Sequence, residues 1–234
     1  MSYPPQIAPQ FVQGIGNNSG TTSVVKAFAS NNTEGNSLIV GGGNFNGSNN
    51  VPTMSVSDSQ LNIYYPVKFS VCTNLGFNTS VLYLWIAPFC AGGANTVTVT
   101  STISGGTFCA LHEYSGLDSG SIFDQTNAGV PNVNISTLAS GNIVTNVPIE
   151  LVIALGFDQT NNDTWTPTHG FTKRVNNGAS QSIQSAELVV DATGTFSNTW
   201  TINNNSHGLH SIIASFKAAQ SQLTIPAGQI SIYG

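Results

Sequence analysis

Charge is what this 234-residue chain has least of: Asp, Glu, Lys and Arg together make up 6% of it, against about 25% in an ordinary soluble domain. Five Lys and Arg against ten Asp and Glu leave a formal charge of −5, so the cationic footprint required for binding nucleic acid or an anionic membrane is missing. Neither partner is expected. Helix formers are equally scarce. Four Glu, four Lys, one Arg and 13 Leu argue against bundles, coiled coils and doubly wound α/β folds. The longest apolar run, 81–91, contains Pro88 and falls short of the roughly 18 residues a spanning helix needs. The first ten residues carry Pro4, Pro5 and Pro9 but no basic segment and no apolar run, so they do not read as a secretory signal peptide. The expectation is a protein made and used without export, or one whose leader is missing. Three cysteines, at 72, 90 and 109, form neither a CxxC nor a Cys/His cluster with zinc spacing. Reduced core residues are expected, with a Cys90–Cys109 bridge the alternative, because the two flank a candidate strand.

What the chain does have is Asn, Ser, Thr and Gly in abundance around short β-branched and aromatic runs, the pattern of an all-β, two-sheet antiparallel sandwich. Strands are expected near 23–29, 37–41, 53–57, 61–72, 80–87, 95–102, 107–114, 141–145, 150–156, 171–175, 181–190, 198–202 and 209–217. Strict alternation at Thr96–Thr100 puts Val97 and Val99 on one face of a half-buried strand. The continuous runs 81–86 and 151–155 read as central strands covered on both faces. No repeat of solenoid or propeller period is apparent. Residues 1–22, with three prolines and then Gly14, Gly16, Asn17 and Asn18, read as an N-terminal arm ahead of a sandwich at 23–218. Alternation returns at Leu223/Ile225 and Ile230/Ile232 in 219–234, either as a last hairpin of the domain or as a strand lent to a neighbour.

Catalytic motifs are not found: GxSxG, GxGxxG, a P-loop and HExxH are all absent from the sequence. His207 and His210 are three apart, which on a strand puts them on opposite faces, and Asp158–Asp163 lacks the Gly and terminal Glu of a calcium loop. No metal or cofactor is expected. A glycosidase would need a carboxylate pair, for which Glu113, Glu150, Glu187, Asp118 and Asp124 are the candidates, with nothing to place any two together. Trp165, Trp200, Tyr64 and Tyr65 lie in or beside loops and could stack on sugar rings, although filling the core is the more ordinary use of an aromatic in a sandwich.

Several segments, in order, resemble a jelly-roll-like β-sandwich domain found in secreted bacterial surface proteins and in phage virions: Gly35–Val40, Val56–Ser59, Leu84-Trp85, Ala94–Val99, Glu113-Tyr114-Ser115-Gly116-Leu117-Asp118, Glu150–Val152 and Gly170–Thr172. The Glu-Tyr-Ser-Gly-Leu-Asp piece is the specific one. The resemblance implies a binding or structural role and carries no catalytic residue. Without an export signal and with arms at both ends, the chain looks like a phage capsid decoration or cement protein located on the virion. Its partners would be the major capsid protein and other copies of itself, in a homo-oligomer. On this reading Ile7, Phe11, Leu223, Ile225, Ile230, Ile232 and Tyr233 bury apolar surface against neighbours. The alternative is an extracellular or cell-surface carbohydrate-binding module using the loop aromatics.

Overall fold

A computed structural model describes residues 5–73, 79–131, 135–158, 165–176, 182–203 and 208–221. The fold is all-β and antiparallel. Its first eight strands are β1 (Gln10–Ser19), β2 (Ser23–Ala27), β3 (Ser37–Asn46), β4 (Met54–Asp58), β5 (Tyr65–Cys72), β6 (Thr79–Ala87), β7 (Thr96–Ser101) and β8 (Gly106–Ser115). They form a five-stranded sheet in the order β1-β8-β3-β6-β5 and a three-stranded sheet β2-β7-β4. The remaining strands are β9 (Phe123–Ala128), β10 (Thr137–Ala139), β11 (Ile143–Val144), β12 (Glu150–Asp158), β13 (Trp165–Thr166), β14 (Thr172–Asn176), β15 (Ser182–Val190), β16 (Thr195–Phe196), β17 (Thr199–Ile202) and β18 (His210–Lys217). These give a second five-stranded sheet, β9-β18-β12-β15-β14, a three-stranded sheet β10-β17-β13, and the short pair β11-β16.

The expected sandwich is therefore present, but with more layers than two. The two five-stranded sheets face each other across one core, in which Ile39, Leu84, Phe108 and Tyr114 meet Leu151, Leu155, Phe157 and Phe216. A three-stranded sheet then covers each outer face. Val24, Val97 and Val99 close over Leu38, Val40 and Trp85 on one side, and Leu138, Trp165 and Trp200 close over Val152, Ala154 and Ile213 on the other. Central strands β3 and β12 are thus apolar on both faces, as continuous runs require.

The second half repeats the first. Matching β1 to β9, β2 to β10, β3 to β12, β4 to β13, β5 to β14, β6 to β15, β7 to β17 and β8 to β18 converts each sheet order of the first half into that of the second. The irregularities match as well. Phe11 pairs with Tyr114 and Gln13 with Glu113, leaving Val12 as a bulge, while Phe123 pairs with Phe216 and Gln125 with Ser215, leaving Asp124. Val67 bulges between Pro66 and Lys68 where Arg174 bulges between Lys173 and Val175. Since β1 packs against β14 and β9 against β5, the halves are related as the protomers of a two-fold dimer would be.

Glycines mark where the layers press closest. A Cβ on Gly42 would come within 2.6 Å of the Trp85 ring and 2.9 Å of Val99, and one on its counterpart Gly156 within 2.5 Å of Trp165 and 3.2 Å of Trp200.

Of the segment expected to be an N-terminal arm, residues 10–19 are instead edge strand β1 of the molecule's own sheet, bonded to β8 along its length. Gly and Asn suffice there because an edge strand needs only its backbone to pair. Beyond β18, Ala218 bridges to Leu117 and Gln220 to Gln6, and Leu223, Ile225, Ile230, Ile232 and Tyr233 lie outside the described residues.

Candidate functional site

One end of the molecule carries two adjoining grooves, partly polar, with exposed apolar side chains around them. A groove of about 450 Å³ is lined by Tyr65, Pro66, Val67, Ile86, Pro88, residues 119–122 and Phe123. A second, of about 420 Å³, adjoins it through Tyr65 and Pro88 and adds Leu61, Ile63, Phe89, Gln60, Asn62 and Glu34. Leu61, Ile63, Tyr65, Phe89 and Phe123 are all exposed, from 42% for Phe123 to 87% for Leu61. Glu34 is the single charged residue in either lining.

Asp58 builds this face. Its carboxylate accepts from Gln60 N (3.2 Å), Asn62 N (3.0 Å), Asn62 Nδ2 (2.7 Å), Tyr64 Oη (2.7 Å) and Asn95 Nδ2 (2.9 Å). Burial raises the pKa of this carboxyl, but those donors outweigh it and hold the acid below its usual range. Anchoring 62 and 64 inward turns 61, 63 and 65 outward, with Leu61 at a φ of 59°. The expected strand 61–72 thus begins only at Tyr65. Asn62 Oδ1 also takes Ala91 N at 2.8 Å, which fixes the 88–91 turn beside Leu61. Phe89 lies over Gly35 (φ 86°), where a Cβ would stand 3.5 Å from the ring. On the far wall Asp118 Oδ1 caps Gly120 N and Ser121 N, and Asp118 N bonds to Lys217 O at 2.9 Å.

The internal repeat contains this site's counterpart, and it is closed. Val67, Ile86 and Phe123 correspond by strand register to Arg174, Glu187 and Phe11. There Arg174 pairs with Glu187, its guanidinium sits 4.2 Å from the centre of the Phe11 ring, and Tyr114 Oη donates to Glu187. Phe11, partly buried, makes an edge contact with Tyr114 of its own chain at 5.7 Å. Ile7 remains 51% exposed.

Of the proposed sugar-stacking aromatics, Tyr65 alone is presented. Trp165 and Trp200 are completely buried in an edge-to-face pair 5.6 Å apart, with Trp200 Nε1 donating to Ser211 Oγ. As core fillers between β12 and its outer sheet they have no free face. Tyr64 is half-buried and spends its hydroxyl on Asp58. The sequence does not mark Leu61, Ile63, Phe89 and Phe123; its one signal is the alternation at 61, 63 and 65 next to an acid, which reads equally as a core strand.

The other chemical candidates are interior. Glu113 is buried and accepts from Gln13, Asn32, Asn36 and Thr33 N at 2.7–2.8 Å. Burial pushes its pKa up, and the four donors more than reverse this. Glu150 is completely buried; burial and then Asp124 push it up to about 7, while Asp124 takes Asn146 N and Nδ2. The two acids are close, but no solvent reaches Glu150. Two Ser–His pairs, Ser185 Oγ with His112 Nε2 and Ser80 Oγ with His210 Nε2, each 2.6 Å apart, join the five-stranded sheets from fully buried positions. His207 and residues 159–163 fall outside the described residues. Cys72, Cys90 and Cys109 are free and buried, and burial raises the last two to about 11 and about 12. Among the described residues no group of three or more His, Cys, Asp or Glu could hold a metal.

The fold and this face together define an all-β, layered sandwich with a cleft at one end that is rimmed by apolar side chains and holds Glu34 as its single charge. No family model, curated protein or solved structure matches the chain.

Proposed function

We propose that this chain is a structural protein of a phage particle, a capsid decoration or cement protein with no catalysis of its own, which holds to the assembled shell and to neighbouring copies through the Tyr65 face. The observation that carries the reading is the contiguity of five exposed large apolar side chains around two joined grooves with one charge between them. Exposed apolar residues on a solitary soluble domain are ordinarily scattered, and a contiguous set marks a contact surface. Burying each contributes roughly 1.5–3 kcal/mol, enough in sum to offset the several kcal/mol that association costs. A contact made this way depends little on salt.

The test is co-sedimentation of the full chain with shells assembled from the major capsid protein of the same genome, in about 0.1 M and about 1 M NaCl. Attachment at both salts is expected, with loss in Tyr65→Ser/Phe89→Ser at unchanged thermal midpoint. Attachment that survives this double substitution refutes the reading. Tyr65 and Phe89 also sit beside the amides of Gln60 and Asn62, the chemistry of a sugar subsite. A glycan-array signal abolished by Tyr65→Ala, from a chain that ignores shells, would transfer the function to carbohydrate binding.

A further inference from the structure

We infer that the groove at Tyr65 receives residues 222–234 of a neighbouring copy of this chain. The inference rests on the reading of that face as a contact surface and names its occupant.

Chemistry is the first ground. Residues 222–234 contain no charged side chain and alternate apolar residues at Leu223/Ile225 and Ile230/Ile232, and the grooves they would enter have Glu34 as their one charge. An acidic peptide, or one with more than a single cation, would have to be desolvated there without an ion-pair partner; this segment would not. Alternation also suits a segment laid along a surface, because it turns every second side chain toward the surface.

The second ground is where the segment departs from the body. Ala219 N donates to Gly116 O at 2.8 Å and Ser221 N to Pro5 O at 2.7 Å, so the chain leaves alongside the residues that enter β1. The groove lies at the β5 edge of the same sheet. Four strand spacings, about 19 Å, separate the two edges; Lys217 N bonds to Ile122 O beside the groove's far wall, and residues 218–221 then run away from that wall, past Leu117 and Gly116 to Gln6 and Pro5, so the segment is directed away from its own groove where it leaves.

The internal repeat supplies the third. The residues after β8 lead into β9, which pairs with β18. By the same relation the residues after β18 would lie beside β8, and β1 already occupies that place. The sheet position that the repeat reserves for this segment is filled. A donor at one edge and a receptor at the other make a heterologous contact, which closes into a ring or extends as an array.

Cross-linking of full-length chains tests this. Chains bearing Ile63→Cys and chains bearing Ile230→Cys, differently tagged, are mixed and treated with oxidised glutathione; the three native thiols are buried. A disulfide between the two tagged chains is expected, at least about tenfold above a Val51→Cys control at an exposed site at the opposite end of the sheet. Excess free peptide of sequence 222–234 should suppress it, and Tyr65→Ser/Phe89→Ser should abolish it. Mixed chains that cross-link no better than the control overturn the inference. So does a chain carrying both cysteines that closes only on itself. Shell attachment that still depends on Tyr65 and Phe89 while the cross-link stays at control level would show that the occupant is wrong and the face is right. Attachment indifferent to both residues removes the face as well.

Discussion

His210 should make the protein sensitive to acid, and the effect can be isolated by one substitution. The imidazole bridges the two five-stranded sheets, with Nε2 2.6 Å from Ser80 Oγ and Nδ1 3.1 Å from Ser70 Oγ. Burial in the core lowers its pKa to about 3, against about 6.5 in the unfolded chain. The folded state therefore refuses a proton that the unfolded state accepts. The stability this neutral ring contributes is complete above pH 6.5 and drains away as the pH falls toward 3. Between pH 7 and pH 4 the loss is about 3 kcal/mol, at about 1.4 kcal/mol per unit of pKa difference. Other groups titrate over the same interval: His112, lowered by burial to about 4, adds to the loss, and Glu150, raised to about 7, works against it. A comparison of wild type with His210→Gln cancels both. The measurement is urea unfolding followed by the fluorescence of Trp85, Trp165 and Trp200 at several pH values between 7 and 4. Whatever His210→Gln costs at pH 7, about 3 kcal/mol of that cost should be regained relative to wild type by pH 4. A difference that stays constant within about 0.5 kcal/mol across the range would mean that the imidazole titrates normally and that the reasoning from burial is wrong.

Gly42→Ala and Gly156→Ala each drive a methyl into tryptophan rings at 2.6 and 2.5 Å, and each should lower unfolding free energy by about 1–3 kcal/mol in the same urea assay. Glu113→Ala strands the donors of Gln13, Asn32, Asn36 and Thr33; it should cost about 3 kcal/mol or more and speed hydrogen exchange at residues 30–36. Val67→Arg with Ile86→Glu copies the closed counterpart's ion pair into the open groove. Shell attachment measured by co-sedimentation should fall at least about tenfold while the circular dichroism spectrum stays that of wild type.

Strands were legible wherever the chain is apolar on at least one face. The expected 37–41, 80–87, 150–156 and 209–217 fall inside or within one residue of β3, β6, β12 and β18, because burial on both faces demands uninterrupted Val, Ile and Leu. Strand β1 was not legible, since its Gly14, Gly16, Asn17 and Asn18 contribute backbone pairing and little packing; Asn17 Nδ2 even bonds across to Val25 O. The Glu-Tyr-Ser-Gly-Leu-Asp segment was legible as distinctive, and four of its six residues prove to have separate tasks. Glu113 ties down 32–36, Tyr114 turns to the opposite face and meets Glu187, Gly116 takes a φ of 77°, and Asp118 caps the next turn. The doubling of the fold left little trace in the residues. Phe11/Phe123, Ile39/Ile153 and Gly42/Gly156 coincide, but His112 stands opposite Ala214 and Leu84 opposite Ser185. The spacing also drifts, from 114 between Gly42 and Gly156 to 101 between Trp85 and Ala186, so no fixed period survives. Of the candidate site, Tyr65 was readable and its neighbours were not, because whether an alternating run faces in or out depends on which set of residues an acid such as Asp58 captures.

A doubled fold with a two-fold relation between its halves would, left symmetric, offer the same cleft at both seams where an edge of one large sheet meets the other. Two equal clefts could serve isologous pairing as readily as a directional contact. This chain removes the choice with two side chains, set over a phenylalanine that both seams share. At the seam of β1 and β14 the positions held elsewhere by Val67 and Ile86 are Arg174 and Glu187. Their ion pair, roofed over Phe11, fills the space that stays open at Tyr65. With five cationic residues in the whole chain, placing its single Arg there is a notable concentration of charge. The result, among the described residues, is that of these two equivalent seams the one at Tyr65 keeps an apolar groove and the other carries an ion pair. That asymmetry is what a contact surface needs if copies are to be laid down in one direction across a shell, and it arises by closing one of two equivalent sites while leaving the other apolar.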